Sequence, residues 1–304
     1  MRIGLNGGAS SIERMIEQAR TAEADGFSSL WYPSAIAGDP VTAMAVAGRA
    51  TTSIELGTAV LQSYTSHPVL QANRMAGAAF AMGRPGLTLG IGPSHAPVID
   101  GMYGMSYATP GRHSEAYVEI VTALLRGERV DVDGPEYTVR GVQAQAAAFP
   151  VQVLVAALAP RLLRVAGAVG DGTILWMANA RAIEAHVAPR IAKAAADAGR
   201  PDPRIVAGLP VAVHDDVAEA RAVAARQFAI YGQLPNYQRI LEHGEVAGPA
   251  DAAIVGDEAA VAEQLQALVV AGATDVWAAA FPVGDDAAGS RQRTRALLRE
   301  LAVS

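Results

Sequence analysis

The sequence predicts an α/β fold, a (β/α)8 TIM barrel with loop and hairpin insertions, formed by a single domain over residues 1–304. Three observations support this prediction. Strand-like and helix-like segments alternate along the chain, eight of the strand-like segments can be placed, and 304 residues are enough for such a barrel to close. An open doubly wound sheet is the alternative, because it uses the same alternation.

The first half of the chain follows the repeat closely. A strand-like run at 3–6 leads through a glycine turn into a helix, whose start is marked by the capping box Ser10-x-x-Glu13. The same reasoning predicts strands near 28–32, 54–61 and 87–92 and helices near 41–50 and 68–82.

The second half adds two insertions to the repeat. A loop at 93–109 is long for a compact fold, and such loops are usually functional. A hairpin at 130–139 turns at Asp133-Gly134. The remaining strands are predicted at 151–156, 173–177, 205–213 and 275–281, with helices at 161–169, 180–198, 217–230, 257–271 and 287–302.

Composition excludes several classes of function. The net charge of −6 is spread without basic stripes, which disfavours nucleic acid, and no apolar run reaches the ~18 residues of a membrane span. The absence of cysteine removes thiolate nucleophiles, and scattered histidines give no metal motif. The first residues lack the apolar region of a signal peptide, so we expect a cytoplasmic protein.

The carboxyl ends of the strands, where barrels build their reactive face, are rich in small and aromatic residues and poor in acids and bases. Such a pocket suits a planar cofactor that brings its own chemistry, and hydride transfer is the natural candidate. Asn6, Trp176 and Asn179 follow strands and are predicted to line a substrate pocket, although Trp176 also suits a buried layer of the barrel.

Two loops carry candidate functional groups. In Gly90-Ile-Gly92-Pro-Ser-His95 the histidine can donate a proton or a hydrogen bond, or simply bond to the loop backbone. The run 156–160 precedes a helix whose free N–H groups can bind a phosphate with help from Arg161. An ordinary βα loop is the alternative there.

Several segments, in order, resemble the luciferase-like monooxygenase superfamily and specifically its coenzyme F420-dependent oxidoreductases. The resemblance covers nearly the whole chain. It rests on Ala22-x-x-x-Gly26-Phe-Ser-Ser-Leu-Trp31, on Ile54-Glu-Leu-Gly-Thr-Ala-Val60 with Ser66-His-Pro68, on Leu87-Thr-Leu-Gly-Ile-Gly92, on Val165-Ala-Gly-x-x-Gly-Asp-Gly172 and on Ile254-Val-Gly-Asp257.

This resemblance implies a cis peptide bond between Ala59 and Val60, forming a bulge that backs the ring of F420 or, alternatively, of FMN. It also implies cofactor contacts after the second, fourth and fifth strands, from Ser34, from Pro93, Ser94 and His95, and from Ala157, Leu158 and Ala159.

Departures from the family pattern narrow the expected reaction. Relatives that oxidise sugar phosphates or alcohols carry an Asp-His pair where this chain has Ser34-Ala35 and a glutamate where His95 stands, and the sugar-phosphate lysine is replaced by Asn179. We therefore expect reduced F420 to reduce a C=C, C=N or C=O bond of a small molecule, with His95 or a water supplying the proton. An FMN-dependent monooxygenase and a non-catalytic flavin-binding barrel are the alternatives, and a homodimer is the default assembly.

Overall fold

Eight parallel strands form the centre of the computed structural model, which describes residues 1–34 and 38–303. They are β1 (Ile3–Asn6), β2 (Ser29–Tyr32), β3 (Glu55–Thr58), β4 (Leu87–Gly92), β5 (Val151–Val155), β6 (Gly172–Trp176), β7 (Arg204–Val213) and β8 (Asp275–Ala280). Each strand pairs with the next one along the chain, and β8 pairs with β1, where Ile3 lies opposite Val276. The sheet is therefore closed, which confirms the barrel and rules out the open doubly wound alternative.

Ten longer helices surround the barrel in the described part of the chain. They are α1 (Ile12–Ala24), α2 (Pro40–Arg49), α3 (Pro68–Met82), α4 (Pro110–Leu125), α5 (Pro160–Ala168), α6 (Ala188–Asp197), α7 (Val217–Gln227), α8 (Pro235–His243), α9 (Glu258–Val270) and α10 (Ala287–Val303). None of the described helices is long and apolar enough to cross a membrane.

The start of α1 corrects a detail of the sequence interpretation. The cap is Ser11 and not Ser10, because Ser11 has the extended backbone of an N-cap and its hydroxyl accepts the N–H of Arg14. Ser10 instead accepts a hydrogen bond from the Arg14 side chain.

Short segments are inserted into this series of βα units. The predicted hairpin is present as Arg129–Asp133 and Thr138–Gln143, and the loop after β4 contains the helical turn Ala96–Ile99. Between β7 and β8 a short strand, Ile254–Gly256, pairs with the outer end of β7.

Tryptophan side chains fill the inside of the barrel. Trp31 is fully buried in a cluster with Leu154 and Trp277. A β-carbon at Gly57 would lie 2.3 Å from the Trp31 ring, and one at Gly208 would lie 1.9 Å from Nε1 of Trp277, so neither indole could keep its place beside a larger residue.

A buried ionic cluster closes the amino-terminal end of the barrel. The Arg204 guanidinium contacts Glu55 Oε1 at 2.9 Å and Asp275 Oδ1 at 2.8 Å, and Arg2 pairs with the same two carboxylates. These residues begin or precede β7, β3, β8 and β1. Because this end is closed, space for a ligand is left at the opposite, carboxyl-terminal end.

Candidate functional site

A cavity of about 520 Å³ lies at the carboxyl-terminal ends of the strands. This volume falls within the roughly 300–1,000 Å³ typical of small-molecule sites. Its lining comes from β1, β4, β6 and β8, from the loops after β2, β3, β4 and β5, from the first turn of α5, and from a segment between β7 and β8: Asn6, Pro33, Ser34, Ala59, Val60, Gln62, Gly92, Pro93, Ser94, His95, Val98, Ala156, Leu158, Ala159, Leu162, Ile174, Leu175, Trp176, Gln227, Phe228, Tyr231, Asn236, Tyr237, Trp277, Ala279 and Ala280.

A β-bulge shapes one side of this cavity. Gly57 pairs with Thr88 and Leu61 pairs with Ile91, so the β3 side carries one residue more than β4. The cis bond that the resemblance implies is present in this extra stretch, between Ala59 and Val60.

The Thr58 hydroxyl supplies the hydrogen bonds that the bulge would otherwise break. It donates to the Gly90 carbonyl at 2.7 Å and accepts the Gly90 N–H at 2.9 Å. The bulge is thereby anchored to β4, and Ala59 and Val60 are left half-buried in the cavity wall.

The loop after β4 brings His95 to the cavity. Ser94 adopts a left-handed backbone (φ 62°), and its carbonyl accepts a 2.7 Å hydrogen bond from the Tyr107 hydroxyl. His95 follows and begins the helical turn Ala96–Ile99, with its ring centroid 5.6 Å from that of Tyr237. No hydrogen bond joins the imidazole to the described residues.

Burial lowers the pKa of His95 below its ordinary value of 6.5. The imidazole is therefore uncharged at neutral pH. It can donate one N–H hydrogen bond in that state and a proton only after it has been protonated.

The loop after β5 borders the cavity at the start of α5. Leu158 and Ala159 line it, and the Leu158 carbonyl accepts a 2.8 Å hydrogen bond from Nε2 of His186. Among the described side chains none caps α5, so N–H groups of its first turn stay available beside the cavity.

Aromatic side chains form the wall that we call the aromatic wall: Trp176, Phe228, Tyr231, Tyr237 and Trp277. The two indole rings stack at 5.1 Å and 28°. Phe228 lies near the end of the helix predicted at 217–230. Tyr231 and Tyr237 lie in the segment after it, for which the sequence predicted no element, and the structure places Tyr237 within α8. The signal that could have placed Tyr237 on a helix is the spacing of Tyr237, Ile240 and Leu241, of which the last two are buried in α8.

Most of the predicted site residues are brought together by the fold. The cavity lining includes Asn6, Ser34, Ala59, Val60, Pro93, Ser94, His95, Leu158, Ala159 and Trp176. Ala35 lies outside the described residues.

Three predicted site residues lie outside the lining. Ala157 is fully buried, and Arg161 is half-exposed with its Nε 3.7 Å from a Glu115 carboxylate oxygen. Asn179 uses its amide within the fold: Oδ1 accepts the Ala182 N–H at 2.9 Å, and Nδ2 donates to the Gly244 carbonyl at 3.0 Å.

The described lining contains no Asp, Glu, Lys or Arg. Its titratable groups are His95, Tyr231 and Tyr237, and burial raises the pKa of both tyrosines. The other polar side-chain groups are neutral amides, hydroxyls and the indole N–H groups of Trp176 and Trp277. The cavity is thus a largely apolar chamber in which the ligand has to bring any formal charge.

Small residues leave room in this chamber for a planar cofactor. Gly92 lines the cavity beside Ala156 and Val60, and a β-carbon at Gly92 would lie 2.9 Å from the Ala156 methyl group and 3.2 Å from Cγ2 of Val60. Together with the available N–H groups of α5 for a phosphate, this arrangement fits a flavin or deazaflavin.

A closed parallel barrel with a cavity at the carboxyl ends of its strands is the arrangement of TIM-barrel enzymes. The family model of luciferase-like monooxygenases matches residues 2–275. The chain therefore belongs to the luciferase-like monooxygenase family, as the sequence resemblance predicted.

Two relatives illustrate the sequence similarity of the chain to known reductases and dehydrogenases. The chain is 28% identical over 215 residues to 5,10-methylenetetrahydromethanopterin reductase of Methanolobus tindarius, covering 69% of this chain and 65% of that protein. It is 31% identical over 233 residues to the F420-dependent hydroxymycolic acid dehydrogenase of Mycobacterium tuberculosis, covering 71% and 63%. The aligned part thus spans less than two thirds of both relatives.

Solved structures agree on the fold. An F420-dependent secondary alcohol dehydrogenase in complex with an F420-acetone adduct superposes with a TM-score of 0.78 at 17% identity, covering 100% of this chain and 99% of that one. The oxygenating constituent of 3,6-diketocamphane monooxygenase from Pseudomonas putida, in complex with FMN, gives a TM-score of 0.73 at 17% identity, covering 100% and 98%.

Proposed function

We propose that the protein is an F420-dependent oxidoreductase that reduces a C=C, C=N or C=O bond of a small organic substrate. The observation that carries this proposal is the cavity itself, whose described lining lacks carboxylates and cationic side chains but includes His95. Two sequence relatives named for F420, a hydroxymycolic acid dehydrogenase and a glucose-6-phosphate dehydrogenase, support the choice of deazaflavin.

The chain offers three sets of groups to the cofactor. Ala59 and Val60 on the bulge and Pro93 and Ser94 after β4 would hold the ring system, and the uncapped start of α5 would receive a phosphate. When bound, the reduced deazaflavin supplies a hydride.

His95 supplies what the apolar walls lack. As an uncharged imidazole it can orient an acceptor atom by hydrogen bonding, and as an imidazolium it can deliver the proton that completes a reduction. The same uncharged imidazole can accept a proton in a substrate oxidation, so His95 alone does not fix the direction of hydride transfer. The lack of a carboxylate base in the described lining is the feature that favours reduction.

Anaerobic turnover tests the proposal. Purified protein is mixed with reduced F420 and a panel of enones, imines and ketones, and the return of oxidised F420 is followed by absorbance. Acceptor-dependent oxidation of F420 without oxygen is the expected result. Substrate-dependent oxygen uptake with reduced FMN, and none with F420, would instead identify a monooxygenase, and tight cofactor binding without any turnover would identify a binding protein.

A further inference from the structure

Three members of the aromatic wall, Phe228, Tyr231 and Tyr237, follow the strand that lies opposite the bulge. In a closed ring of eight strands, β7 is four places from β3, and Phe228, Tyr231 and Tyr237 follow β7 while Ala59 and Val60 follow β3. If the bulge holds the cofactor, the aromatic wall is left to the substrate.

We propose that the aromatic wall binds an uncharged substrate with a planar ring system, whose polar atom lies between Tyr237 and His95. This proposal deepens the proposed function and rests on it, since that function assigns the bulge side of the cavity to the cofactor.

The ring geometry supports a planar ligand. Trp176 meets Tyr231 at 5.7 Å and 67° and Phe228 at 6.0 Å and 68°, and Tyr231 meets Tyr237 at 4.9 Å and 76°. These are edge-to-face contacts, in which ring edges and ring faces alternate along the wall. A further ring can extend such a series by stacking or by an edge contact.

The charges of the site argue against an ionised substrate. Burying an anion without a cationic partner is costly, and the described lining contains no Lys or Arg. Arg161, just outside it, faces the Glu115 carboxylate. A cation would be attracted to ring faces, but Trp176 and Trp277 already cover one face of each other, and no carboxylate in the described lining balances the charge.

Neutral polar groups near the aromatic wall are available to a carbonyl or imine of such a substrate. Asn236 lines the cavity beside Tyr237, and the Tyr237 ring is 5.6 Å from that of His95. Burial raises the pKa of Tyr237, so its hydroxyl remains a hydrogen-bond donor throughout the neutral range.

Binding of three probes of matched shape tests the proposal. 2-Acetylnaphthalene, 2-naphthoate and (2-naphthylmethyl)trimethylammonium are titrated by calorimetry into protein saturated with whichever of oxidised F420 and FMN it binds, and into cofactor-free protein. We expect the neutral ketone to bind at least about tenfold more tightly than either ion, because only the ions lose hydration without a partner. Equal or tighter binding of the naphthoate or of the ammonium ion overturns the proposal.

Variants locate the probe. Tyr231→Leu, at a partly exposed position, and Trp176→Leu should each weaken ketone binding at least about fivefold through lost ring contacts, whereas Phe80→Leu, on the exposed face of α3, should leave it unchanged. Unchanged ketone binding in Tyr231→Leu overturns the proposal. Calorimetry needs no hydride transfer, so a protein that binds the ketone on the wall but oxidises no reduced F420 refutes the proposed function alone.

Discussion

At the scale of single residues, His95 shows what position in a repeat can reveal. The sequence placed it directly after the fourth strand, and the fold brings it to the cavity as the only histidine among the described lining residues. Its neighbour Tyr237 lies 142 positions further along the chain, in α8. Such a pairing depends on barrel closure and could not be predicted from local pattern.

The pH dependence of turnover tests the role of His95. Because burial lowers its pKa below 6.5, the acid form accumulates only as the pH falls below that value, so kcat for reduction should rise there. His95→Gln should remove this acidic limb and lower kcat by roughly 100-fold, since a positioned general acid contributes about 10²–10⁴. An unchanged pH profile in the variant would assign the proton to water.

Tyr107 is expected to position the loop that carries His95. Its hydroxyl holds the carbonyl of Ser94, whose left-handed backbone is unfavourable for a residue other than glycine. Tyr107→Phe should cost about 1 kcal/mol in the free energy of unfolding and weaken cofactor binding several-fold, as measured by denaturation and titration.

The half-exposed Tyr103 of the same loop provides the control. Tyr103→Phe should change neither quantity. Equal behaviour of the two variants would show that the hydroxyl of Tyr107 does not position the loop.

At the scale of elements, the sequence predicted regular helices and strands correctly but gave no sign of irregular helical backbone. The bounds of α3 and β4 agree with the sequence prediction, because a proline and a glycine mark the ends of the helix and an apolar run marks the strand. By contrast, 180–198 was predicted as one helix but contains the π-helical stretch Ile183–Val187. A short π-helical stretch has wider turns than an α-helix, and this difference is not visible in the spacing of the apolar residues.

Asn179, which lies outside the cavity lining, links two elements of the fold. Asn179→Ala removes the cap of the helix that begins at Ala180 and the bond to the Gly244 carbonyl. The loss of an N-cap of this kind costs about 0.5–2 kcal/mol, so we expect chemical denaturation to show a decrease of that size.

The exposed Asn73 of α3 provides the matched control, and Asn73→Ala should remain within about 0.5 kcal/mol of the wild type. If Asn179→Ala kept full stability but lost substrate affinity, Asn179 would be a ligand contact, as the sequence prediction has it.

At the scale of the whole molecule, the ionic cluster at the amino-terminal end of the barrel is expected to contribute to stability, and the cavity at the carboxyl-terminal end to ligand binding. Arg204→Met leaves the Glu55 and Asp275 carboxylates, 11% and 2% exposed, without their main partner. Breaking a buried pair in this way costs about 3–5 kcal/mol, and we expect denaturation to show a loss of that order with unchanged cofactor affinity in the folded fraction.

Arg140 offers the matched comparison, because its pair with Asp133 is mostly exposed. Arg140→Met should cost at most about 1 kcal/mol. A similar cost for both variants would mean that the ionic cluster does not close the barrel as described.

The barrel was predictable because each βα unit repeats the same order of an apolar strand, a turn and an amphipathic helix. A unit with a weak pattern can therefore be assigned from the units on either side of it. The cavity residues at the strand ends and in the adjoining loops could be predicted from the positions of the strands and from the family resemblance. Of the aromatic wall, only Trp176 was predicted at the cavity, because Phe228 fell within a predicted helix and Tyr231 lies in a 3₁₀ turn without clear apolar spacing. Arg161 also looked available in sequence, while the fold turns it towards Glu115.

Cofactor titration of a blocked cavity tests the central claim most directly. Binding of F420 and of FMN is followed by fluorescence in the wild type, in Ala159→Phe, which fills the cavity beside α5, and in Ala196→Phe, on the exposed face of α6. We expect F420 to bind the wild type and Ala196→Phe equally and Ala159→Phe at least about tenfold more weakly, because the added ring occupies the space of the ligand. Equal affinity in all three proteins, or binding of neither cofactor, would contradict the assignment of this cavity.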